Sequence, residues 1–382
     1  MCCVCIVAAR YSRAIDSLVA LEALGVAISA GVPVLLWGSP GTGKTSAVVA
    51  VGQAVGWPVE TVIGSIREPS DFAGLPVVID GSVHLSPPAW ARRLCEAGEG
   101  LLFLDELTTA PPAVQAAMLR VVLERVVGDT PLPPGVRVVA AANPPEQAAD
   151  GWELAAPLAN RLVHLDWPVD GKYIAKGLAI GFPRPVLAGL ENRPDTAQAM
   201  AARAAVGAFL EVRPPLALQL PRSAADTGRG WPSPRSWEAV ARLLAACEAA
   251  HASQAARAAL IEGAIGDGAA LEFLAWLEHL DLPDPEAVLA DPDHFSLPER
   301  SDRAFAVLTA VASVAVADGS EERWTQAWRV VARAAEDAPD VATLIARTLA
   351  SHRPMGAEVP EALMELVPVL RAAGLLRGES SG

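Results

Sequence analysis

Apolar residues recur at helical spacing from Ser12 to Ala30, and Gly31 supplies a stop. Val32–Trp37 is then a short, continuous apolar run, the pattern of a parallel strand buried on both faces. It feeds the glycine-rich stretch Gly38 to Thr45, after which Ser46 to Val55 returns to a helical pattern. Further apolar runs lie at Val59–Ile63, Gly100–Leu104, Val136–Ala142 and Leu162–Trp167, each separated from the next by enough residues for a crossover helix. The pattern predicts an α/β unit with a parallel five-stranded sheet flanked by helices.

Shorter signals refine this frame. Pro111 and Pro112 mark a helix start, with Thr109 as its expected cap, and Val114, Ala117, Met118, Val121 and Val122 then form a core-facing stripe. Asp80-Gly81 between β-branched flanks predicts a two-residue hairpin within Val77–Leu85, with His84 on its surface. After Trp167 the chain turns to alanine-rich helix, broken by prolines near Arg213–Pro221 and Pro232–Pro234. Helical patterns follow at Ala269–Leu280, Arg303–Ala317, Glu321–Glu336 and Val341–Ser351, and the tail Gly378–Gly382 is expected to be disordered.

Composition narrows the function classes. Hydrophobic residues make up 52% of the chain, but many are alanines, so a positive mean hydropathy reflects helices rather than a membrane. The most apolar stretch, Leu18 to Trp37, is interrupted by Glu22, Gly25, Gly31 and Pro33, so no membrane span is expected. A formal charge of −14 disfavours nonspecific binding to nucleic acid and points to a protein partner. Of five cysteines, Cys2, Cys3 and Cys5 stand too close together for a disulfide framework, and Cys95 and Cys247 are isolated. The N-terminal three would need another ligand to hold a metal, and an untidy chain start is the alternative. With no secretion-signal pattern, reduced thiols in a cytoplasmic protein are the expectation.

The chemistry is concentrated in Gly38-Ser39-Pro40-Gly41-Thr42-Gly43-Lys44-Thr45, a full G-x-x-x-x-G-K-[ST] pattern between a strand and a helix. Its glycines let several backbone N–H groups converge on one anion, and the helix adds its positive dipole end. Lys44 is expected to reach the β- and γ-phosphates of ATP, and Thr45 to hold Mg2+. A second element is the apolar run Leu101–Leu104 ending in Asp105-Glu106. Asp105 would stand at the strand's C-terminal edge and hold Mg2+, largely through water. Glu106 is the expected group that polarises an attacking water, which favours hydrolysis over transfer to an acceptor.

These residues together resemble the AAA+ ATPases, and within them the MoxR branch, over about Ile15 to Leu244. Val136–Pro144 is similar to the family's sensor-1 strand, which implies that Asn143 contacts the γ-phosphate or the lytic water; taken alone, Asn-Pro would read as a turn. Leu158-Ala159-Asn160-Arg161-Leu162 resembles the segment that carries an arginine into the neighbouring subunit's site, with Leu162 where the family usually has Phe. Trp231-Pro232-Ser233-Pro234-Arg235-Ser236-Trp237 resembles the start of the sensor-2 lid helix, with Ser233 as cap and Arg235 as the cation that senses loss of the γ-phosphate. The flanking tryptophans could stack on adenine or pack the lid. Arg67–Pro76 with the Asp80-Gly81 hairpin resembles the helix-2 insertion, which meets the partner. The resemblance implies a P-loop core over 1–168 and a helical lid over 169–262 carrying Arg235; the helical patterns over 263–382 fall outside it and form a further C-terminal region, which could dock a partner or close the ring. The resemblance also implies a hexameric ring and a protein client with a von Willebrand factor A-type metal-binding domain, remodelled in a chaperone-like manner. The alternatives are a nucleotide-gated scaffold with negligible turnover, or a P-loop kinase or GTPase. No Asn-Lys-x-Asp guanine-reading motif occurs.

Overall fold

The computed structural model describes residues 16–144, 147, 151–182, 185, 192–221, 223, 227–278, 282–364 and 366. Cys2, Cys3, Cys5, the beginning of the first predicted helix and the tail Gly378–Gly382 lie outside the described residues. The chain divides into two compact units, one formed by residues 1–193 with 215–274, the other by 194–214 with 275–382.

In the first unit, helix α1 spans Ser17–Ala30. The Asp16 carboxylate accepts from the backbone N–H groups of Leu18 and Val19, and Gly31 ends the helix at φ +63°. Helix α2 spans Lys44–Val55. The strands are β1 (Val34–Trp37), β2 (Val59–Ile63), β3 (Leu75–Ile79), β4 (Ser82–Ser86), β5 (Glu99–Asp105), β6 (Val126–Val127), β7 (Thr130–Pro131), β8 (Gly135–Ala142) and β9 (Val163–Asp166). Five of them form one sheet in the order β2-β5-β8-β1-β9, with every pairing parallel. This is the α/β architecture of a P-loop NTPase, with helices on the sheet's faces.

Burial explains why these runs carry so few polar residues. Val34–Leu36 and Leu101–Leu104 are wholly buried, because helices cover both faces of a parallel sheet. Register brings the strand ends to one edge. Asp105 lies opposite Ile63, and Trp37 opposite both Ala142 and Asp166, so the residues after β1, β5 and β8 emerge side by side.

Strands β3 and β4 form the expected hairpin. Asp80 and Gly81 both have positive φ, +50° and +78°, as its two-residue turn requires, and His84 is exposed. The helix over Pro112–Glu124 starts at the expected prolines and buries Val114, Met118, Val121 and Val122, but Thr109 does not cap it. Pro111 occupies the cap position without a side-chain bond, and Thr109 belongs to a preceding 3-10 turn in which its hydroxyl donates to the Glu106 carbonyl at 2.9 Å.

The second unit is helical. Its core gathers Leu308, Val311, Trp324, Trp328, Val331 and Leu349 from helices Ser301–Asp318, Glu321–Asp337 and Pro339–Ser351. Helix Thr196–Val212 packs in this unit although it falls inside the stretch 169–262 expected to form one lid. Its buried positions are mostly alanine, which allows close approach, and a Cβ on Gly207 would stand 3.6 Å from Phe305.

Candidate active site

The loop between β1 and α2 has two kinds of glycine. Gly41 and Gly43 lie at φ +76° and +85°, with open space where a side chain would stand, so the backbone can wrap and aim its N–H groups outward. At Gly38 the constraint is contact: a Cβ there would lie 2.9 Å from the Trp167 carbonyl oxygen. Trp167 also donates its indole N–H to the Thr42 carbonyl at 3.2 Å, and the Thr42 hydroxyl donates to the Ser39 carbonyl at 2.8 Å. Pro40 is exposed at the loop's tip.

Lys44 opens α2 and is only 7% exposed. Its ammonium donates to the carbonyls of Gly38 (2.5 Å) and Ser39 (3.0 Å) and to Asn143 Oδ1 (3.1 Å). Burial holds its pKa below the usual lysine value, against the opposing charge of Asp105. The last residue of β5 meets the next residue of the helix, as the Thr45 hydroxyl donates to Asp105 Oδ2 at 2.9 Å. Asp105 Oδ1 accepts from the Glu106 backbone N–H at 2.9 Å.

Glu106 adopts φ +56°, ψ +45°, a left-handed conformation that costs a residue with a Cβ about 1–2 kcal/mol. Its carboxylate accepts a hydrogen bond from the Ser65 hydroxyl, which stands just beyond β2 on the neighbouring strand. Asn143 follows β8, and its carbonyl accepts from the Thr108 hydroxyl at 3.3 Å. Lys44, Thr45, Asp105, Glu106 and Asn143 are therefore brought together by the ends of β1, β5 and β8, with Ser65 added from β2.

Arg161 and Arg235 form a separate pair. Arg161 follows the short helix Ala156–Ala159, donates to the Pro157 carbonyl, and keeps its Nε buried without a partner. Burial, and then the nearby charge of Arg235, lower its pKa. Arg235 is exposed on the first turn of helix Pro234–Ala249, which Ser233 caps as expected. Among the described residues no carboxylate pairs with either guanidinium, and neither bonds to Lys44, Asp105 or Glu106.

The donor set fits a magnesium nucleotide. Among the described residues no cluster of three or more His, Cys, Asp or Glu could hold a metal alone. Thr45 and Asp105 offer the one or two hard oxygen ligands that suffice when phosphate and water supply the rest. Beside Gly41–Gly43 lies a cavity of about 420 Å³ lined by Leu21, Ala50, Trp167, Tyr173, Ile174 and Phe182, wide enough for a planar base. Those residues carry no sequence signal, since they come from helix α1, helix α2 and the chain after β9. Trp237, one of two candidates for stacking on a base, is instead buried against its neighbours, donating to the Leu216 carbonyl at 2.7 Å and meeting Phe273 edge-on.

Comparison with known proteins bears on the same segment. Residues 33–162 match the AAA domain (dynein-related subfamily). A 55-residue stretch is 53% identical to the Psp operon transcriptional activator of Escherichia coli K12, covering 13% of this chain and 17% of that protein. This chain thus spans well under two thirds of that relative's length. A solved structure of a candidate ATPase from Cytophaga hutchinsonii aligns over 72% of this chain and 83% of its own, at 16% identity and a TM-score of 0.42. The segment that supplies the phosphate loop, Asp105, Glu106, Asn143 and Arg161 therefore matches an AAA domain, and its five-stranded sheet has the P-loop NTPase fold.

Proposed function

We propose that this chain binds and hydrolyses ATP, and that it works as a MoxR-type AAA+ machine remodelling a partner protein. The observation that carries the reading is the convergence of Lys44, the Thr45–Asp105 pair, Glu106 and Asn143 on one edge of three adjacent parallel strands. In this reading the loop Gly38–Thr45 cradles the phosphates through backbone N–H groups, and Lys44 turns its ammonium from the loop carbonyls toward the β- and γ-phosphates. The base enters the cavity beside Trp167 and Tyr173. Thr45 and Asp105 hold Mg2+, which neutralises charge on the phosphates when bound. Glu106 takes the proton of the attacking water, and Asn143 orients that water or the γ-phosphate. Arg161 completes the site of a neighbouring protomer and Arg235 responds to the γ-phosphate, which makes the active species a ring, with six protomers as the expected number.

The hairpin β3–β4 supports a protein client. Leu75, Val78, Ile79 and Val83 are all more than half exposed on it, and a hairpin with apolar residues on both faces is suited to contact with another surface. A client with a von Willebrand factor A-type domain follows from the MoxR resemblance. Glu106→Gln should bind ATP as tightly as the unaltered protein and lose turnover by about 10²–10⁴-fold, measured as phosphate release. Equal phosphate release from the two proteins would replace the machine with a nucleotide-gated scaffold. Displacement of bound ATP by GTP at equal concentration would replace it with a guanine-nucleotide enzyme.

A further inference from the structure

A run of buried polar contacts leads from the phosphate loop's own strand to Arg161. Trp37, the last residue of β1, donates its indole N–H to His164 Nδ1 at 2.8 Å. That bond leaves the imidazole proton on Nε2, which donates to the Ala159 carbonyl at 2.9 Å. Asn160 comes next in the chain and points the other way. Its Nδ2 donates to the Trp231 carbonyl at 2.8 Å, and its Oδ1 accepts from the Ser233 hydroxyl at 2.7 Å. Those two partners fix the amide's orientation, because a carbonyl can only accept. Ser233 is the cap of helix Pro234–Ala249, and its bonding to Ser236 closes the capping box.

Asn160 and Ser233 are 7% and 6% exposed, and Asn160 is separated from Trp231 by 71 positions in sequence. A buried amide costs stability unless it is bonded, and an apolar side chain would pack here without directional demands. What the amide adds is direction. It locks the turn that presents Arg161 onto the cap of the helix that presents Arg235, and the two guanidinium groups are held near each other on that joint.

We infer that Asn160 is a positioning residue: by bridging the Trp231 carbonyl and the Ser233 hydroxyl, it makes Arg161 and Arg235 one rigid body and sets how Arg161 is offered to the adjacent protomer. The inference rests on the proposed reading of Arg161 as a group supplied in trans. It predicts a defect that shows in the neighbour's pocket while the variant's own pocket stays sound.

The test is complementation in mixed assemblies. Asn160→Ala alone should hydrolyse ATP at least tenfold more slowly, on the order of one lost charge-assisted contact, with nucleotide affinity unchanged. Mixed in equal amounts with Lys44→Ala, at an ATP concentration too low to fill that variant's weakened pocket but with its Arg161 correctly presented, about half of the Asn160→Ala pockets acquire a sound neighbour in a head-to-tail ring. Phosphate release per Asn160→Ala protomer should then rise severalfold. Arg161→Ala mixed with Lys44→Ala is the control for the trans reading itself. Rescue of both variants supports the inference. Rescue of Arg161→Ala without rescue of Asn160→Ala, or a wild-type rate for Asn160→Ala alone, overturns it while leaving the trans reading standing. A wild-type rate for Arg161→Ala removes the trans reading and the inference with it. Should Asn160→Ala fail to fold, Ser233→Ala, which deletes the second of the two bonds together with the Ser236 N–H cap, is judged by the same outcomes.

Discussion

The two cationic edges of the first unit are built on opposite terms. Around Lys44, every strong group already has a partner inside the chain: the ammonium meets two carbonyls and an amide, Thr45 meets Asp105, and Asp105 meets the Glu106 N–H. Around Arg161 and Arg235, burial and then the neighbouring Arg235 charge lower the pKa of Arg161, with no carboxylate on either guanidinium among the described residues and one Nε buried without a partner. The first arrangement is preorganised and self-sufficient. The second is an unbalanced positive edge, beside which Asn160 bonds the turn of Arg161 to the cap of the helix bearing Arg235. Chemistry that needs a fixed cradle suits the first, and an anion brought by another molecule suits the second.

The widest consequence of that difference is kinetic. Arg161→Ala should lower ATP turnover by roughly 10³–10⁵-fold while leaving nucleotide affinity nearly unchanged, since a cation supplied in trans acts on the transition state. Steady-state phosphate release alongside equilibrium nucleotide binding separates the two. If affinity falls in step with turnover, Arg161 belongs to the cradle of its own chain and the contrast between the edges collapses.

Lys44→Ala is expected to do the reverse. It removes charge-assisted hydrogen bonds worth about 1.5–3 kcal/mol each, so nucleotide affinity should fall by roughly 10²-fold or more, and turnover at low ATP with it. A third variant tests the scaffold under the cradle. The Cβ of Gly38→Ala would meet the Trp167 carbonyl oxygen at 2.9 Å, forcing the loop away from the wall of the base cavity. Affinity should fall by about tenfold, alongside a loss of stability on the order of 1–3 kcal/mol from overpacking at that edge. An affinity equal to that of the unaltered protein would show that the loop and Trp167 move independently.

The phosphate-loop edge was readable from sequence because it is local. Gly38–Thr45 is contiguous, the strands leading into Asp105 and Asn143 are continuous apolar runs, and a parallel sheet delivers such strand ends to one edge. The arginine edge was readable only as separate residues. Asn160, His164 and Ser233 are ordinary polar residues in sequence, and their meaning lies in contacts spanning 71 to 127 positions. Ser65 was missed for the same reason: it reaches Glu106 only because β2 and β5 are neighbours. The cap at the helix over Pro112–Glu124 was misread because a threonine ahead of two prolines looks like a cap, whereas its hydroxyl closes the preceding turn.

His164 is the hinge between the edges, and it titrates against a neighbour. Helix Gln254–Ile265 lies directly on β9, where a Cβ on Gly263 would stand 2.0 Å from the His164 carbonyl oxygen, and this helix carries Glu262. Burial pushes the His164 pKa down to about 4 from an ordinary 6.5. Between those values the unfolded chain holds a proton that the folded chain does not, so this group makes stability fall as the pH is lowered. Burial, then Asp267 and Asp166, push the Glu262 carboxyl up to about 7 from 4.5. Between those values the folded chain holds the extra proton, so this group makes stability fall as the pH is raised. The windows overlap from pH 4.5 to 6.5, where the two slopes oppose each other, the Glu262 contribution being discounted because that side chain is partly exposed and its shift is screened by solvent. Glu262→Gln should therefore uncover the histidine: between pH 6.5 and 5 the variant loses about 1 kcal/mol per pH unit, while the unaltered protein changes less. Urea unfolding at several pH values measures both. Parallel curves would mean that the Glu262 carboxyl is not raised, whereas a flat curve for the variant would mean that His164 is not held neutral and that its bond to Trp37 does not tie the arginine turn to the phosphate-loop strand.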